Sequence, residues 1–362
     1  MPPLFFAQQD AFIGQQDLPQ DFRIFFMRLH GLDIARFLAF CGMVLVNFRI
    51  AAQVSPGPDA ISLFTNALEG RAAALFVILA GVGLSVGKPD RATLLRRALF
   101  LFLIGLLNLT IFEADILHFY ALYFLVALPF LTATGRVLLL AAAGTLLIGL
   151  ISLLALDYEA HWNWETLAYA DFWTLEGFLR HSFFNGWHPV FPWAAFLFLG
   201  MWIGRLNLAS RSVQARLVLW GAAAAALAAL PGLLVQNPDL TELSGTSAIP
   251  PGPFYILAAS GSAMAVIGLT LAITPALDKA GLAEWLAAPG RQALSLYAAH
   301  ILLGMGTLEA MGQLDGSLSA EQIFGYSLGF CALSMVAAWI WSLFAKRGPL
   351  EALLRWSTSF PR

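Results

Sequence analysis

Three histidines lie within or beside long apolar stretches of the chain, where the presence of an ionisable side chain requires an explanation. His118 lies near the start of DILHFYALYFLVALPFL, His300 lies inside GRQALSLYAAHILLG, and His188 opens HPVFPWAAFLFLGMWIGR. An unperturbed histidine has a pKa of about 6.5, so its imidazole can accept or donate a proton near neutral pH. Packing alone explains His118 and His300 poorly in a bilayer, so both are predicted to be functional. His188 is predicted either to cap a helix or to belong to a site.

Other polar side chains stand at the ends of the same apolar stretches. An Arg, Lys or Asp at the bilayer centre costs about 2.5–3.5 kcal/mol on insertion scales. Asp33 and Arg36 have the i, i+3 spacing that places both on one helical face. That spacing fits a salt bridge at the membrane boundary or a charge pair at the entrance of a donor site. Glu69 and Arg71 begin a further apolar stretch, and a local ion pair is the simplest interpretation of them.

The elements that must position these side chains are membrane-spanning helices. The 362 residues are 59% hydrophobic and only 12% charged, whereas soluble domains are about 25% charged. The short alternating segments of a β-barrel are a poor description of this sequence. The predicted fold is an all-α, polytopic integral membrane bundle of about ten transmembrane helices. Each stretch approaches the roughly 20 apolar residues that a spanning helix needs; they lie near 33–53, 70–87, 93–112, 115–134, 137–156, 188–206, 213–235, 253–276, 290–309 and 321–345.

Metal chemistry finds little support in the sequence. The two cysteines, Cys41 and Cys331, fall inside predicted spans and are expected to be packing residues. The histidines lack the spacing of a known ligand signature. We therefore expect no metal site.

Basic residues indicate how the bundle sits in the membrane. Nearly all Lys and Arg residues collect at one set of helix ends, whereas the opposite loops hold only Arg49, Arg71 and Arg180. Because Lys and Arg accumulate on the cytoplasmic side, both termini are predicted to be cytoplasmic. No basic surface indicates a nucleic-acid partner. The predicted division is a cytoplasmic arm over 1–31, a transmembrane domain over 32–347 with an external loop over 157–187, and a cytoplasmic tail over 348–362.

The external loop is rich in aromatic residues and carboxylates. It holds four of the eleven tryptophans, and the stretch ADFWTLEGFLR within it is predicted to form a short helix. Its aromatic residues fit either an interfacial belt or a stacking platform for a polar acceptor such as a sugar. His161 and His181 are expected to be exposed in this loop and to matter little.

Five segments carry a resemblance to a known family. RLHGLDIARFLAFCGMVLVNF and RAAALFVILAGVGLSV come first, and the three histidine-containing segments quoted above follow in the same order as the family's signature helices. The chain resembles the heparan-alpha-glucosaminide N-acetyltransferase-like membrane proteins, including bacterial relatives of unknown function, from about residue 28 to 345. The resemblance implies an enzyme that takes an acyl group, such as acetyl, from acyl-CoA in the cytoplasm. It would deliver that group to a sugar amine or hydroxyl outside.

The resemblance assigns roles residue by residue. The positions that match the family pattern are Asp33, Arg36, His118, Pro192, Trp193, Gly200 and His300. A histidine could act as general base or carry the acyl group, and fixed donors must stabilise the oxyanion. The predicted catalytic residues are His118, His300 and Asn47, and Arg71 or Trp193 could supply the oxyanion donor in place of Asn47. The predicted acceptor-binding residues are His188, Trp193, Arg71, Glu69 and Asp115. Phosphates need cations, and the implied donor-binding residues are Asp33, Arg36 and Arg97.

Two positions depart from the family pattern. Phe37 stands where a glycine commonly follows the arginine, and the loop after the first span contains no histidine, whereas lysosomal members place a catalytic histidine there. Either another histidine serves here, or the activity has been lost or changed.

A second class of function stays open at this stage. Ten helices with a polar interior would also suit a transporter or flippase of a polar or lipid-linked small molecule, although no internal repeat supports that interpretation. The expected surroundings are a bacterial inner membrane, the expected partners are the lipid bilayer and a glycan or other small polar acceptor, and a homodimer is compatible with the sequence.

Overall fold

The computed structural model of the chain describes residues 20–235 and 237–359. Helices dominate it, and a two-residue antiparallel ribbon, β1 (Trp162–Asn163) with β2 (Ala168–Tyr169), interrupts them. The helices are α1 (Gln20–Ala51), α2 (Ala60–Leu68), α3 (Arg71–Gly87), α4 (Arg91–Leu109), α5 (Leu117–Ala127), α6 (Gly135–Ala155), α7 (Leu175–Arg180), α8 (Val190–Ile203), α9 (Arg211–Leu234), α10 (Pro238–Ser244), α11 (Pro253–Lys279), α12 (Ala283–Ala287), α13 (Ala293–Ala299), α14 (Gly306–Ala310), α15 (Ala320–Phe344) and α16 (Pro349–Thr358). Short π-helical turns follow α7 (His181–Asn185) and join α13 to α14 (His300–Met305).

The predicted polytopic membrane bundle is confirmed. Eight helical segments of the described residues are long and apolar enough to cross a membrane. Two shorter apolar helices, Leu117–Phe130 and Val190–Ile203, coincide with the fourth and sixth predicted spans. The helix of the fourth span is short because Pro129, which cannot donate a backbone hydrogen bond, lies in the 3₁₀ turn that ends α5.

Three boundaries differ from the sequence prediction. Helix α1 begins at Gln20, inside the predicted arm, because no proline interrupts the chain between Gln20 and the first span; residues 1–19 of that arm lie outside the described residues. The first predicted loop contains α2, whose N-terminus is capped by the Asp59 carboxylate. The predicted tail forms α16. The tail is therefore an element of the fold.

Close helix crossings assemble the centre of the bundle. Helix α8 packs against α3 and α6, and α1 packs against α3, α11 and α15. A Cβ atom on Gly200 would stand 2.0 Å from the carbonyl oxygen of Ile78, and one on Gly81 would stand 2.2 Å from that of Leu197. Only glycine fits at both positions, and these two glycines let the backbones of α3 and α8 approach closely. The Ser85 hydroxyl also donates to the carbonyl of Met201 across this crossing, at 2.6 Å.

Helix α1 runs through the bundle and carries polar residues towards both of its ends. Asp33 and Asn47 are separated by about 21 Å along the helix at 1.5 Å per residue. The chain termini that the structure describes and the long 157–187 loop lie at opposite ends of the bundle, and each end holds a cavity. The polar side chains of α1 therefore serve two different places.

Candidate functional site

A basic cavity of about 600 Å³ opens where α1, α4, α13 and α16 meet. Six basic and two acidic side chains line it, which leaves a strong excess of positive charge. These side chains are Arg36, Arg97, Arg291, Lys346, Arg347 and Arg355, with Asp33 and Glu351. The three residues assigned to donor binding, Asp33, Arg36 and Arg97, all lie here.

Ion pairs organise one wall of the basic cavity. Asp33 and Arg36 form the i, i+3 ion pair that their spacing predicted. Arg291 forms an ion pair with Glu284, and the Nε2 atom of His30 lies 3.1 Å from an oxygen of the same carboxylate. Both arginines line the cavity while engaged with carboxylates, so their guanidinium groups are held in place.

Helix α16 supplies the opposite wall. One oxygen of the Glu351 carboxylate accepts hydrogen bonds from the backbone N–H groups of Leu294 (2.7 Å) and Ser295 (3.1 Å), and the other accepts from the Ser295 hydroxyl (2.5 Å). Glu351 thereby caps the first turn of α13, where a negative charge is favourable. Burial, and then the neighbouring Arg355 charge, lower the pKa of Arg347. Like charges held this close indicate a place for an anion.

An aromatic cavity of about 810 Å³ opens at the other end of the bundle. Three tryptophans, His188 and Asn47 contribute to its lining, together with three glutamates and, among its described lining residues, no lysine or arginine. The tryptophans and glutamates are Trp164, Trp187, Trp193, Glu69, Glu113 and Glu165. Burial raises the pKa of Glu113 above its ordinary value. The two cavities thus have opposite charge character.

The external loop folds over the aromatic cavity around one asparagine. The fully buried Asn185 amide donates to the carbonyls of Tyr158 and Ala160, and its side-chain oxygen accepts from the Tyr169 hydroxyl at 2.8 Å. The rings of Trp162 and Trp164 stack with centroids 4.5 Å apart. The predicted short helix is α7, although it begins five residues later than ADFWTLEGFLR does.

The prediction that His181 is exposed in the external loop is wrong. Its side chain is buried, at 2% exposure, and its ring lies 6.0 Å from that of His118 and 5.7 Å from that of Trp162. The loop folds back onto the bundle instead of remaining in solvent, and this contact could not be read from local sequence. His161 is half exposed and stands 3.5 Å from the Asp171 carboxylate.

His300 reaches the aromatic cavity through Asn47. Its Nδ1 atom donates to the backbone carbonyl of Tyr297, because a carbonyl can only accept. The Nε2 atom therefore accepts from the Asn47 side-chain amide, at 3.1 Å. His300 is fully buried and lines neither cavity, whereas Asn47 lines the aromatic one. The catalytic role of His300 stays a prediction, and the geometry connects His300 to the cavity only through its hydrogen bond with Asn47.

His118 belongs to a buried network centred on Asp115. The Asp115 carboxylate accepts from Asn108 (2.8 Å), the Tyr297 hydroxyl (3.1 Å), and the backbone and Nδ1 N–H groups of His118 (both 3.0 Å). Asp115 and His118 are both fully buried and line neither cavity. The catalytic role of His118 and the acceptor-binding role of Asp115 stay predictions, and the geometry connects both residues to Tyr297.

Glu69 and Arg71 do not form the local ion pair that their spacing favoured. Glu69 pairs with Arg49 at 2.8 Å, and Arg49 also donates to the side chain of Asn66. Arg71 donates to the carbonyl of Ala67 (2.8 Å) and to the Thr246 hydroxyl (3.1 Å). Glu69 pairs with Arg49 and not with Arg71 because the end of α1 places the Arg49 side chain next to Glu69. Glu69 lines the aromatic cavity, whereas Arg71 is absent from its lining.

His188 and Trp193 form one side of the aromatic cavity. Their rings meet edge to face with centroids 4.6 Å apart, and the Tyr123 hydroxyl donates to the His188 carbonyl at 2.6 Å. Nδ1 of His188 and Nε1 of Trp193 are buried without a hydrogen-bond partner among the described atoms. Polar atoms of this kind are costly unless a ligand or water meets them. His188 is thus the one candidate histidine placed to touch a bound molecule.

Four residues line both cavities: Met43, Ala73, Ile116 and Tyr297. The Tyr297 hydroxyl accepts from the Ile116 backbone N–H at 3.3 Å and donates to Asp115. Sequence reasoning missed Tyr297, although it stands one helical turn before His300 in GRQALSLYAAHILLG. It also missed Met43 and Arg355, which only the assembled bundle brings to the cavities.

Metal binding finds no support in the geometry. The described residues contain no group of three or more His, Cys, Asp or Glu side chains placed to hold a metal ion. Cys41 and Cys331 are both free thiols.

A bundle of apolar helices with a polar cavity at each end defines a polytopic integral membrane protein. Residues 28–234, more than half of the chain, match the family described as heparan-alpha-glucosaminide N-acetyltransferase, catalytic. The chain therefore belongs to this family of membrane acetyltransferase-like proteins. Residues 203–361 match a second family, described as a protein of unknown function (DUF418). No match was found among curated proteins.

The two matched regions meet in the basic cavity. Arg36 and Arg97 come from the first region, whereas Arg291, Arg347 and Arg355 come from the second. The cavity is therefore complete only when both regions are folded together.

Proposed function

We propose that the protein transfers an acyl group, such as acetyl, from acyl-CoA in the cytoplasm to a sugar amine or hydroxyl on the other side of the membrane. The observation that carries the proposal is the pair of cavities of opposite charge character that meet at four shared residues. A donor bound at one end and an acceptor bound at the other would bring their reacting atoms together at these residues.

The basic cavity suits the donor. CoA carries three phosphate groups, and arginines bind phosphate oxygens by charge-assisted, often bidentate, hydrogen bonds. Arg97, Arg347 and Arg355 line the cavity and offer such groups, and Arg36 is held by Asp33. The apolar wall beyond them, which includes Phe76 and Leu79, suits the uncharged pantetheine arm.

The aromatic cavity suits a sugar. Tryptophan faces stack against the apolar faces of sugar rings, and carboxylates accept hydrogen bonds from hydroxyl or ammonium groups. Trp164, Trp187 and Trp193 offer the first kind of contact. Glu113 and Glu165 offer the second.

The reaction requires one proton to move. The acceptor nitrogen or oxygen attacks the thioester carbonyl carbon, the C–S bond breaks, and a C–N or C–O bond forms. The sulfur leaves as a thiolate and takes the proton that the acceptor loses, so that CoA departs as a free thiol. His188 lines the aromatic cavity and is placed to carry this proton. Asn47, oriented by His300, offers an amide to the developing oxyanion.

The proposed setting is a bacterial inner membrane with both termini in the cytoplasm. The concentration of basic side chains around α16 and the start of α1, against the glutamates of the opposite cavity, supports this orientation. In this arrangement the partners are the surrounding lipid bilayer and the acceptor, and a homodimer remains a proposal. His188, which lines the aromatic cavity, would replace the histidine that the first external loop lacks.

Reconstitution tests the proposal directly. The purified protein is reconstituted in liposomes. Radiolabelled acetyl-CoA is added on the side of the basic cavity, and glucosamine, as a probe acceptor, is present on the other side. Transfer of label to glucosamine, dependent on protein, supports the proposal. If calorimetry detects no binding of CoA or acetyl-CoA to the protein, the proposal fails and the transporter alternative becomes the better account.

A further inference from the structure

The partition between the two cavities consists of Met43 on α1, Ala73 on α3, Ile116 before α5, and Tyr297 on α13. Each of the four residues borders both cavities, so a single residue separates the cavities at each of these positions. If the proposed function is correct, the acyl group must lie at this partition when it is transferred, because donor and acceptor enter from opposite ends. The inference below rests on that proposed function.

The helices that carry Met43 and Ala73 approach each other closely. A Cβ atom on Gly42 would stand 2.9 Å from the Cβ atom of Ala72. Small residues at the positions directly before Met43 and Ala73 thus bring α1 and α3 together at the partition. The space between the cavities is consequently narrow, and its width depends on the side chains that enter it.

The four side chains differ in their freedom to move. The Tyr297 hydroxyl is tied to Asp115 and to the Ile116 backbone, which holds this half of the partition in place. Met43 is 7% exposed, is apolar, and has three rotatable side-chain bonds, so its thioether can fill space of irregular shape. Ala73 contributes a single methyl group. The volume left for an acyl chain is therefore set by Met43 and Ala73.

We propose that Met43 and Ala73 determine which acyl chains the enzyme accepts. The Met43 side chain fills the space that the carbons beyond an acetyl group would need, so short acyl chains are preferred. Shortening Met43 should admit a longer chain, and enlarging Ala73 should exclude even a short one. Neither change touches the arginines that bind the phosphates, so the affinity for CoA itself should stay the same.

The test is a calorimetric comparison of CoA, acetyl-CoA and butyryl-CoA binding to the full chain in lipid nanodiscs. For Met43→Ala, the affinity for butyryl-CoA relative to acetyl-CoA should rise about tenfold, in keeping with two additional buried methylene groups. For Ala73→Val, the affinity for acetyl-CoA relative to CoA should fall. Met305→Ala is the matched control, because Met305 is also 7% exposed and lines neither cavity.

The outcomes separate this inference from the proposed function. If the wild-type protein binds no CoA, the proposed function itself fails. If it binds CoA but Met43→Ala keeps the wild-type preference among acyl chains, the inference is wrong and the proposed function stands. Equal loss of all three ligands in Met43→Ala would also overturn the inference, since the side chain would then support the whole donor site. Should Met43→Ala not fold, Ala73→Val decides the matter by the same comparison.

Discussion

At the scale of single residues, the buried histidines work through neighbours that reach the cavities. His300 orders Asn47 by a direct hydrogen bond, and His118 reaches Tyr297 only through Asp115. A buried polar group that loses its partner is costly, by about 1–3 kcal/mol. Substitutions in either network should therefore affect both stability and chemistry, and the two effects need separate readouts.

The histidines are tested first by alanine substitution. His118→Ala or His300→Ala should reduce acetyl transfer in the reconstituted assay about 10²-fold, the low end for loss of one oxyanion donor, because each change disturbs the hydrogen bonds that hold Tyr297 or Asn47 at the cavities. His161→Ala should stay near the wild-type rate, because His161 is half exposed in the loop. Full activity in both folded buried-histidine variants would contradict a role for these residues.

Substitution of Asn47 distinguishes a positioning role of His300 from a purely structural role. If His300 acts by orienting the Asn47 amide, Asn47→Ala should lower kcat with little change in CoA affinity, and adding His300→Ala should lower it little further. Independent effects that add in the double variant would show that the contact between the two side chains is not the source of the loss.

His181 makes the external loop sensitive to acid. Burial, followed by the charges of His118 and His188, lowers the pKa of His181 well below its ordinary value. The unfolded loop therefore binds the proton more readily than the folded loop, so stability is full above about pH 6.5 and falls below it, by at most roughly 1.4 kcal/mol per pH unit. The Arg180 hydrogen bond holds the pKa of Asp171 below its usual range, so this carboxylate contributes only at lower pH.

Tryptophan fluorescence measures this effect, because the Trp162 ring lies 5.7 Å from that of His181. The wild-type signal should change as pH falls from about 7.5 to about 5, and His181→Phe should flatten the response. A variant that responds to pH as the wild type does would assign the titration to another group.

At the scale of elements, the C-terminal helix α16 lines the basic cavity. Glu351 fastens it to the first turn of α13, and this contact places Arg355 over the basic cavity beside Arg97 and Arg347. The helix also packs against α4. Its position explains why a chain segment outside any membrane span carries several charged residues next to apolar ones.

Neutralising this helix should weaken donor binding. Arg355→Gln removes a charge-assisted contact of about 1.5–3 kcal/mol, so the affinity for CoA should fall at least about tenfold. Glu351→Gln, which loosens the helix, should weaken CoA binding by a smaller factor. Arg136→Gln, in the first turn of α6 and outside the cavity lining, is the control and should bind CoA normally. Unchanged CoA affinity in Arg355→Gln would remove α16 from the donor site.

At the scale of the whole molecule, charge is divided between the two ends of the bundle. Basic side chains line one cavity and glutamates the other, and the described residues form eight long apolar helical segments and two shorter apolar helices between them. A transferase of this design needs no through-going channel, because only the acyl group passes the partition. The orientation of the bundle in the membrane decides which side of the membrane supplies the donor and which side supplies the acceptor.

Labelling of engineered cysteines tests the orientation. In a protein carrying Cys41→Ala and Cys331→Ala, a membrane-impermeant thiol reagent added outside intact cells should modify Thr166→Cys, in the external loop. It should not modify Ala209→Cys, between α8 and α9, until the membrane is opened. The reverse pattern would place the basic cavity outside and contradict the proposed direction of transfer.

The sequence by itself determined the helical membrane fold, the approximate spans and the family. It could do so because the apolar length of a span and the segment order of a family are local properties of the chain. It also identified the Asp33–Arg36 pair, whose partners lie one turn apart. Only the tertiary structure decided that Glu69 pairs with Arg49, that His181 is buried, and that α16 closes the basic cavity. Each of these depends on contacts between segments distant in sequence, and helical periodicity does not state which faces of different helices will meet. The partition of Met43 and Tyr297 is the clearest case, because two unremarkable side chains become neighbours of both cavities only when α1 and α13 are packed together.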